Sequence, residues 1–212
     1  MTIFAAKAIA FDAYGTLCYV SSPRNPYRQL QNIQSVSTIS LRRELMTSCT
    51  NLKDVVSKYG IDQPKVVAQI ENLVDQEIES VQPFPEVIET LKRLKKKGFG
   101  LAIVSNLSPP YAEPLRRYFS PFVDHFVFSF EVGALKPEPK IFQVLCEKLE
   151  TAPAEVIMVG DSMKSDIQGA KQFGLQAIHI DRKLAEAHPE KNPNDIPHIG
   201  KVIDLVEKLL RM

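Results

Sequence analysis

The chain has 212 residues, enough for one well-buried core and a small accessory unit, and at 44% hydrophobic and 24% charged it has the composition of a folded globular protein. The formal net charge is +1, so no global field is available to hold nucleic acid or an anionic membrane, and a ligand has to be recognised locally. Cys18, Cys49 and Cys146 are scattered, with no Cys-x-x-Cys spacing, which argues against a disulfide framework or a thiolate zinc site and fits a reducing compartment.

The N-terminus carries no basic leader, Lys7 interrupts its apolar run, and no window approaches a membrane span; the expected location is the cytoplasm. Ala8–Phe11 is the first of five short apolar runs. Residues 101–104, 126–128, 156–159 and Gln176–Ile180 are the others. Most are apolar at every position, the pattern of strands buried on both faces in a parallel sheet.

Residues 20–83 break this rhythm and contain no convincing strand. Val36, Ile39, Leu45, Met46 and Cys49 predict one helix, and Val66, Val67, Ile70, Leu73, Val74, Ile78 and Val81 predict a second. The flanks, Ser21-Ser22-Pro23 and Pro83-Phe84-Pro85, carry breaker residues suited to hinges. Val87, Ile88, Leu91 and Leu94 then predict a helix ending in Lys95-Lys96-Lys97-Gly98, where cations favour the helix dipole; this basic run reads as a solvated helix end. Ile141, Val144, Leu145 and Leu149 predict another helix, and residues 189–197 a surface loop. The expected architecture is α/β. A Rossmann-like, mostly parallel sheet with helices on both faces occupies residues 1–19 and 84–212, and a small all-helical cap at residues 20–83 covers the strand ends.

Two of the apolar runs deliver carboxylates: Asp12 follows the first, and Gly160-Asp161-Ser162 with Asp166 follows the fourth. In an open parallel sheet such ends line the ligand crevice, so these groups are expected in one acidic pocket. Asp12 can act as a carboxylate nucleophile that divides one hard displacement into two easier ones. Asp12 and Asp161 offer hard oxygen ligands suited to Mg²⁺. Asp166, near the start of the next helix, reads either as a supporting partner of the metal site or as an N-terminal helix charge. Lys136 supplies a point cation among carboxylates, and Ser105 and Asn106 supply donors to an oxyanion. Gly15 permits a sharp turn beside the nucleophile, and the Thr16 hydroxyl is expected to brace it.

Four elements in order, Asp12-Ala-Tyr-Gly-Thr-Leu, Val104-Ser105-Asn106, Lys136-Pro-Glu-Pro-Lys140 and Gly160-Asp161-Ser-Met-Lys-Ser-Asp166, resemble the haloacid dehalogenase-like hydrolase superfamily. The resemblance covers nearly the whole chain and points to the helical-cap members, which include 2-haloacid dehalogenases and phosphoglycolate-phosphatase-like enzymes. It implies Asp12, Lys136, Ser105 and Asn106 as catalytic groups. It implies Mg²⁺ held by Asp12, the Tyr14 backbone carbonyl, Asp161 and Asp166. Ser105, Asn106, Tyr14, Thr16 and the cap residue Arg42 are expected to face a small phosphorylated or haloacid substrate. Neither nucleic acid nor a membrane is an expected partner, and the sequence leaves the oligomeric state open.

One position divides the family. Its phosphatases usually place a second aspartate two residues after the nucleophile, as the general acid and base, and here that residue is Tyr14. A phenol of ordinary pKa about 10 is a poor base at neutral pH. Tyrosine there resembles the 2-haloacid dehalogenases, whose halide leaves without a proton. Asp161 and Asp166 match the metal-binding phosphatases instead. The sequence therefore favours a Mg²⁺-dependent phosphatase of small metabolites that prefers good leaving groups, with a metal-independent 2-haloacid dehalogenase and a low-activity phosphate-binding regulatory protein as alternatives. Arg42 falls on the face of Ile39, Leu45, Met46 and Cys49, where burial would be costly, and so is expected to face the cleft.

Overall fold

The computed structural model describes residues 6–32, 37–48, 50–60, 62–182, 198–199 and 201–204. Its centre is a six-stranded, wholly parallel sheet in the order β5-β4-β1-β6-β7-β8. The strands are β1 (Ala8–Phe11), β4 (Gly100–Ser105), β5 (His125–Phe128), β6 (Val156–Gly160), β7 (Gln176–Ile180) and β8 (His198–Ile199). The five apolar runs coincide with β1 and β4 to β7, because both sides of each pleat are covered. Ile9, Phe11, Leu101, Ile103, Ile157 and Val159 enter one buried cluster, while their neighbours Ala8, Ala10, Ala102, Val104, Val156 and Met158 enter the other.

Helices α4 (Val87–Lys96) and α5 (Ala112–Phe119) close the first cluster, and α7 (Pro139–Leu149) and α8 (Gly169–Phe173) close the second. A short helix, α6 (Ser129–Val132), leads from β5 towards Lys136. At the end of α4, Lys95 pairs with Asp124, so the basic run is a solvated helix end as the dipole argument anticipates. Because β1 lies between β4 and β6, the chain leaves it on one side and returns on the other. Strand ends on either side of such a reversal open a crevice.

Residues between the first strand and α4 build a separate helical unit from α1 (Thr38–Thr47), α2 (Leu52–Lys58) and α3 (Pro64–Glu79), packed on Leu41, Leu45, Leu52, Val55, Val67, Ile70 and Val74. Asn51 caps α2 by accepting the Asp54 amide at 2.8 Å, and Pro64 opens α3 where its missing N–H costs nothing.

Three sequence expectations change here. Val81 does not extend the helical stripe: α3 ends at Glu79, and Val81–Pro83 forms β3, paired antiparallel with β2 (Cys18–Val20). Three-residue strands are too short for periodicity to reveal them, and this two-stranded ribbon is the connection to the helical unit. It is tied further by Ser21, whose amide and hydroxyl both donate to the Ser80 carbonyl, at 3.1 and 2.8 Å. β8 was likewise not foreseen, its two residues having no pattern of their own. Along α1 the buried side runs through Leu41 and Leu45, whereas Ile39 is 82% exposed. The face proposed for Arg42 was therefore misdrawn. Val36, Cys49 and the loop at 189–197 lie outside the described residues.

Candidate active site

Asp12 leaves β1 with its amide still bonded to the Val159 carbonyl at 2.8 Å, so its side chain emerges where β1 and β6 end together. Its carboxylate is buried, 8% exposed. Lys136, 4% exposed, reaches it from the loop before α7: the ammonium donates to Asp12 Oδ1 at 2.5 Å and the Val104 carbonyl at 2.8 Å, and pairs with Asp166 Oδ1 at 2.7 Å. The ammonium is therefore held by two hydrogen bonds and one further ion pair. Asp161, exposed at the end of β6, completes the group; one oxygen each from Asp12, Asp161 and Asp166 lie within 4.8 Å of one another.

The electrostatics follow from this crowding. Burial pushes the Asp12 carboxyl up to about 6, with Lys136 opposing and Asp166 and Asp161 adding to the rise. Asp161 is raised by burial and then by Asp166. Burial opposes the charge on Lys136, but Asp12 and Asp166 outweigh it and hold the ammonium above its usual range. Three carboxylates against one ammonium leave an excess of negative charge. Asp166 Oδ1 is buried with no hydrogen-bond partner beyond the ion pair, although its other oxygen accepts the Ser162 amide at 3.0 Å. This oxygen-rich donor set fits a hard divalent cation, and Asp12, Asp161 and Asp166 are the residues that would hold it.

Two glycines make the crowding possible. Gly15 sits at φ +86°, and a Cβ there would fall 2.5 Å from Asp161 Oδ2; at Gly160 a Cβ would overlap the Asp166 carboxylate. Gly15→Ala is expected to weaken metal binding by displacing Asp161 and to strain the turn by about 1–2 kcal/mol. The checks are a smaller Mg²⁺-induced rise in melting temperature and a lower Tm without metal.

The remaining residues named from sequence take more specific places. Ser105 is buried and donates to Asp12 Oδ1 at 3.1 Å. The Asn106 side chain fixes the lysine loop, its amide donating one proton to the Lys136 carbonyl at 2.9 Å and its oxygen accepting the Lys136 amide at 2.7 Å. Among the described residues the Thr16 hydroxyl finds no partner to brace the turn; the Thr16 carbonyl does so, accepting Arg182 Nη2 at 2.5 Å. Tyr14 donates its phenol to the Tyr111 carbonyl at 2.9 Å, and burial raises it far above its usual range, ahead of Cys18 and Glu77. A phenol raised in this way is a poor base near neutrality. Arg42 is exposed and lines a cavity of about 280 Å³ with Tyr27, Arg28, Leu41, Glu77 and Tyr111. Neighbouring Arg43 instead forks onto Glu138, at 2.5 and 3.1 Å.

Sequence reasoning missed several supports. Ser129 bridges the Leu107 amide and carbonyl at 3.0 and 3.2 Å and so steadies the loop after β4. Arg182 stacks 3.4 Å from the Phe84 ring centroid and pairs with Glu86 at 2.9 Å, joining β7 to the ribbon and to the turn at Thr16. Neither carries a local pattern. Glu77 did carry one, being a carboxylate on the apolar stripe of α3, and it is 6% exposed.

A family model described as haloacid dehalogenase-like hydrolase matches residues 6–174. A glyceraldehyde 3-phosphate phosphatase from Methanopyrus kandleri is 29% identical over 97% of this chain and 99% of its own. An (S)-2-haloacid dehalogenase 4A from Burkholderia cepacia is 26% identical, with 84% of each chain covered. Among solved structures, a HAD phosphatase from Thermococcus onnurineus superposes with a TM-score of 0.65 at 26% identity, covering 96% of this chain and 97% of that one. With the match running through all four motifs and their geometry around Asp12, the chain belongs to the haloacid dehalogenase-like hydrolases.

Proposed function

We propose that this hydrolase is a Mg²⁺-dependent phosphatase of small phosphorylated metabolites. The observation that carries the reading is the cluster of Asp12, Asp161 and Asp166 around Lys136, since these carboxylates would repel a haloacid's own carboxylate by a few kcal/mol. Phosphatases among the relatives support it.

Asp12 attacks phosphorus in line, the bond to the leaving oxygen breaks, and water then hydrolyses the aspartyl phosphate. Lys136 holds the carboxylate pointing into the site and offsets the charge that gathers on the nonbridging oxygens. Ser105 fixes the second face of the same carboxylate oxygen, and Asn106 keeps Lys136 in register. Mg²⁺, held by Asp12, Asp161, Asp166 and the Tyr14 carbonyl, would supply Lewis-acid charge neutralisation at the phosphoryl group. Residues 20–83 act as a cap over the remaining core, and Arg42 receives a second anionic group on the substrate.

Tyr14 stands where an acid/base aspartate would protonate the leaving group, and its phenol is committed to Tyr111, so aryl and acyl phosphates are expected to turn over faster than sugar phosphates. Tyr14→Asp raises the rate on alkyl esters, and Arg42→Ala raises KM for bisphosphates or phosphorylated acids while leaving phenyl phosphate unchanged. The deciding assay measures phosphate release from an aryl phosphate and chloride release from 2-chloropropionate, each with Mg²⁺ and with chelator. Metal-dependent phosphate release supports the reading. Tyr14 favours the dehalogenase alternative, and metal-independent chloride release would establish it in place of the phosphatase. A protein silent in both assays but stabilised by phosphate would be a binding protein.

A further inference from the structure

Glu77 is an anomaly on α3. Ile70 and Val74 precede it on the same buried stripe, and a carboxylate in that position is costly unless every oxygen is engaged. Both are engaged. Oε1 accepts the Arg24 and Asn25 amides, at 2.6 and 2.8 Å, within the helical unit, and Oε2 accepts the Tyr111 hydroxyl from the core. The carbonyl of the same Tyr111 accepts the Tyr14 phenol, and the two rings meet edge to face at 5.9 Å. Tyr14 stands two residues from the nucleophile.

Two other polar contacts between helical unit and core, among the described residues, fall on the same kind of loop. Tyr27 bonds Ser108 at 2.9 Å, three residues past Ser105, and Arg43 pairs with Glu138, two residues past Lys136. We propose that Tyr111 is a positioning residue that ties the cap to the catalytic loop, its hydroxyl latched to the buried Glu77 and its carbonyl fixing Tyr14 beside Asp12. At Glu77, separation of the cap breaks one charge-assisted hydrogen bond and leaves two amides on the carboxylate, so the latch releases without stranding a buried charge. An apolar residue at position 77 would weld the two units by burial instead. The inference rests on Asp12 being the nucleophile for its kinetic consequence, while the latch itself is a statement about geometry.

The test compares the full-length wild type, Tyr111→Phe, Tyr14→Phe and the double variant by hydrogen exchange and by aryl phosphate turnover. Tyr111→Phe keeps the ring and the carbonyl and removes only the bond to Glu77. Amides of Leu107, Ser108 and Tyr111, and of Ser21 and Ser22 beside the ribbon, are expected to exchange about tenfold to a hundredfold faster, with β1 and β4 unchanged. Turnover is expected to fall by a similar factor, and Tyr14→Phe to cost less in the Tyr111→Phe background than alone, because the two act through one chain. Unchanged exchange at these amides, uniformly faster exchange across the whole chain, or strictly additive kinetic effects would each overturn the proposal. If Tyr111→Phe does not fold, Glu77→Gln keeps an acceptor for the Arg24 and Asn25 amides and turns the bond to Tyr111 from charge-assisted to neutral, so the same amides are expected to exchange faster by a smaller factor. Exchange requires no turnover, so a wild type without phosphatase activity would remove the phosphatase reading and still leave the latch to be decided.

Discussion

Asp12→Asn is expected to lower turnover by about 10⁴-fold or more, because the amide oxygen cannot form the covalent intermediate and the remaining groups only bind and orient. The fold is expected to survive, since the amide still accepts from Lys136 and Ser105. It should even gain stability relative to the wild type above pH 6. Burial raises the Asp12 carboxyl from 3.8 to about 6 in the folded protein, so the fold prefers the neutral form. That preference is fully present below pH 3.8 and is lost as pH rises through 6. The Tm difference between Asn variant and wild type, measured without metal, should therefore widen between pH 4 and pH 6 and then level off. A flat difference across that range would show that Asp12 is not raised. By the same competition, Mg²⁺ should bind more weakly as pH falls through 6, with proton release measurable by calorimetry in buffers of different ionisation enthalpy.

Lys136→Met is expected to produce the largest loss of stability of any single site substitution. The ammonium is fully enclosed and bonded to Asp12 and the Val104 carbonyl, with Asp166 paired beside it. Removing one partner of a buried charge cluster typically costs about 3–5 kcal/mol, roughly 10 °C in a domain of this size. Repulsion between the stranded carboxylates is the cause, so saturating Mg²⁺ or a lower pH should recover part of the lost Tm, and more of it than in the wild type. Turnover should fall by about 10²–10³-fold even when the protein is kept folded, because charge on the transferring phosphoryl group loses its organic cation. Equal Tm responses to Mg²⁺ in variant and wild type would remove the charge argument and leave only a packing role for Lys136.

These two residues mark what the sequence determined by itself. Asp12, Asp161, Asp166 and Lys136 were legible because each follows or precedes an element whose apolar pattern fixes its position, and a parallel sheet brings the ends of neighbouring strands to one crevice. The five strands were legible for the same reason: burial on both faces writes an uninterrupted apolar run. Where no such constraint acts, the reading failed. The ribbon of β2 and β3 and the two residues of β8 are too short to show a period, and α1 turned its Ile39 outward because its packing partners come from α6 and α2, which local spacing cannot identify. Only the tertiary structure decided how the polar side chains are shared. Asn106 bonds to the lysine loop, Tyr14 to Tyr111, and Glu77 takes its third donor from a residue 34 positions away. A hydrogen bond is settled by which donor arrives within 3 Å of which acceptor, and that depends on the packing of the whole chain.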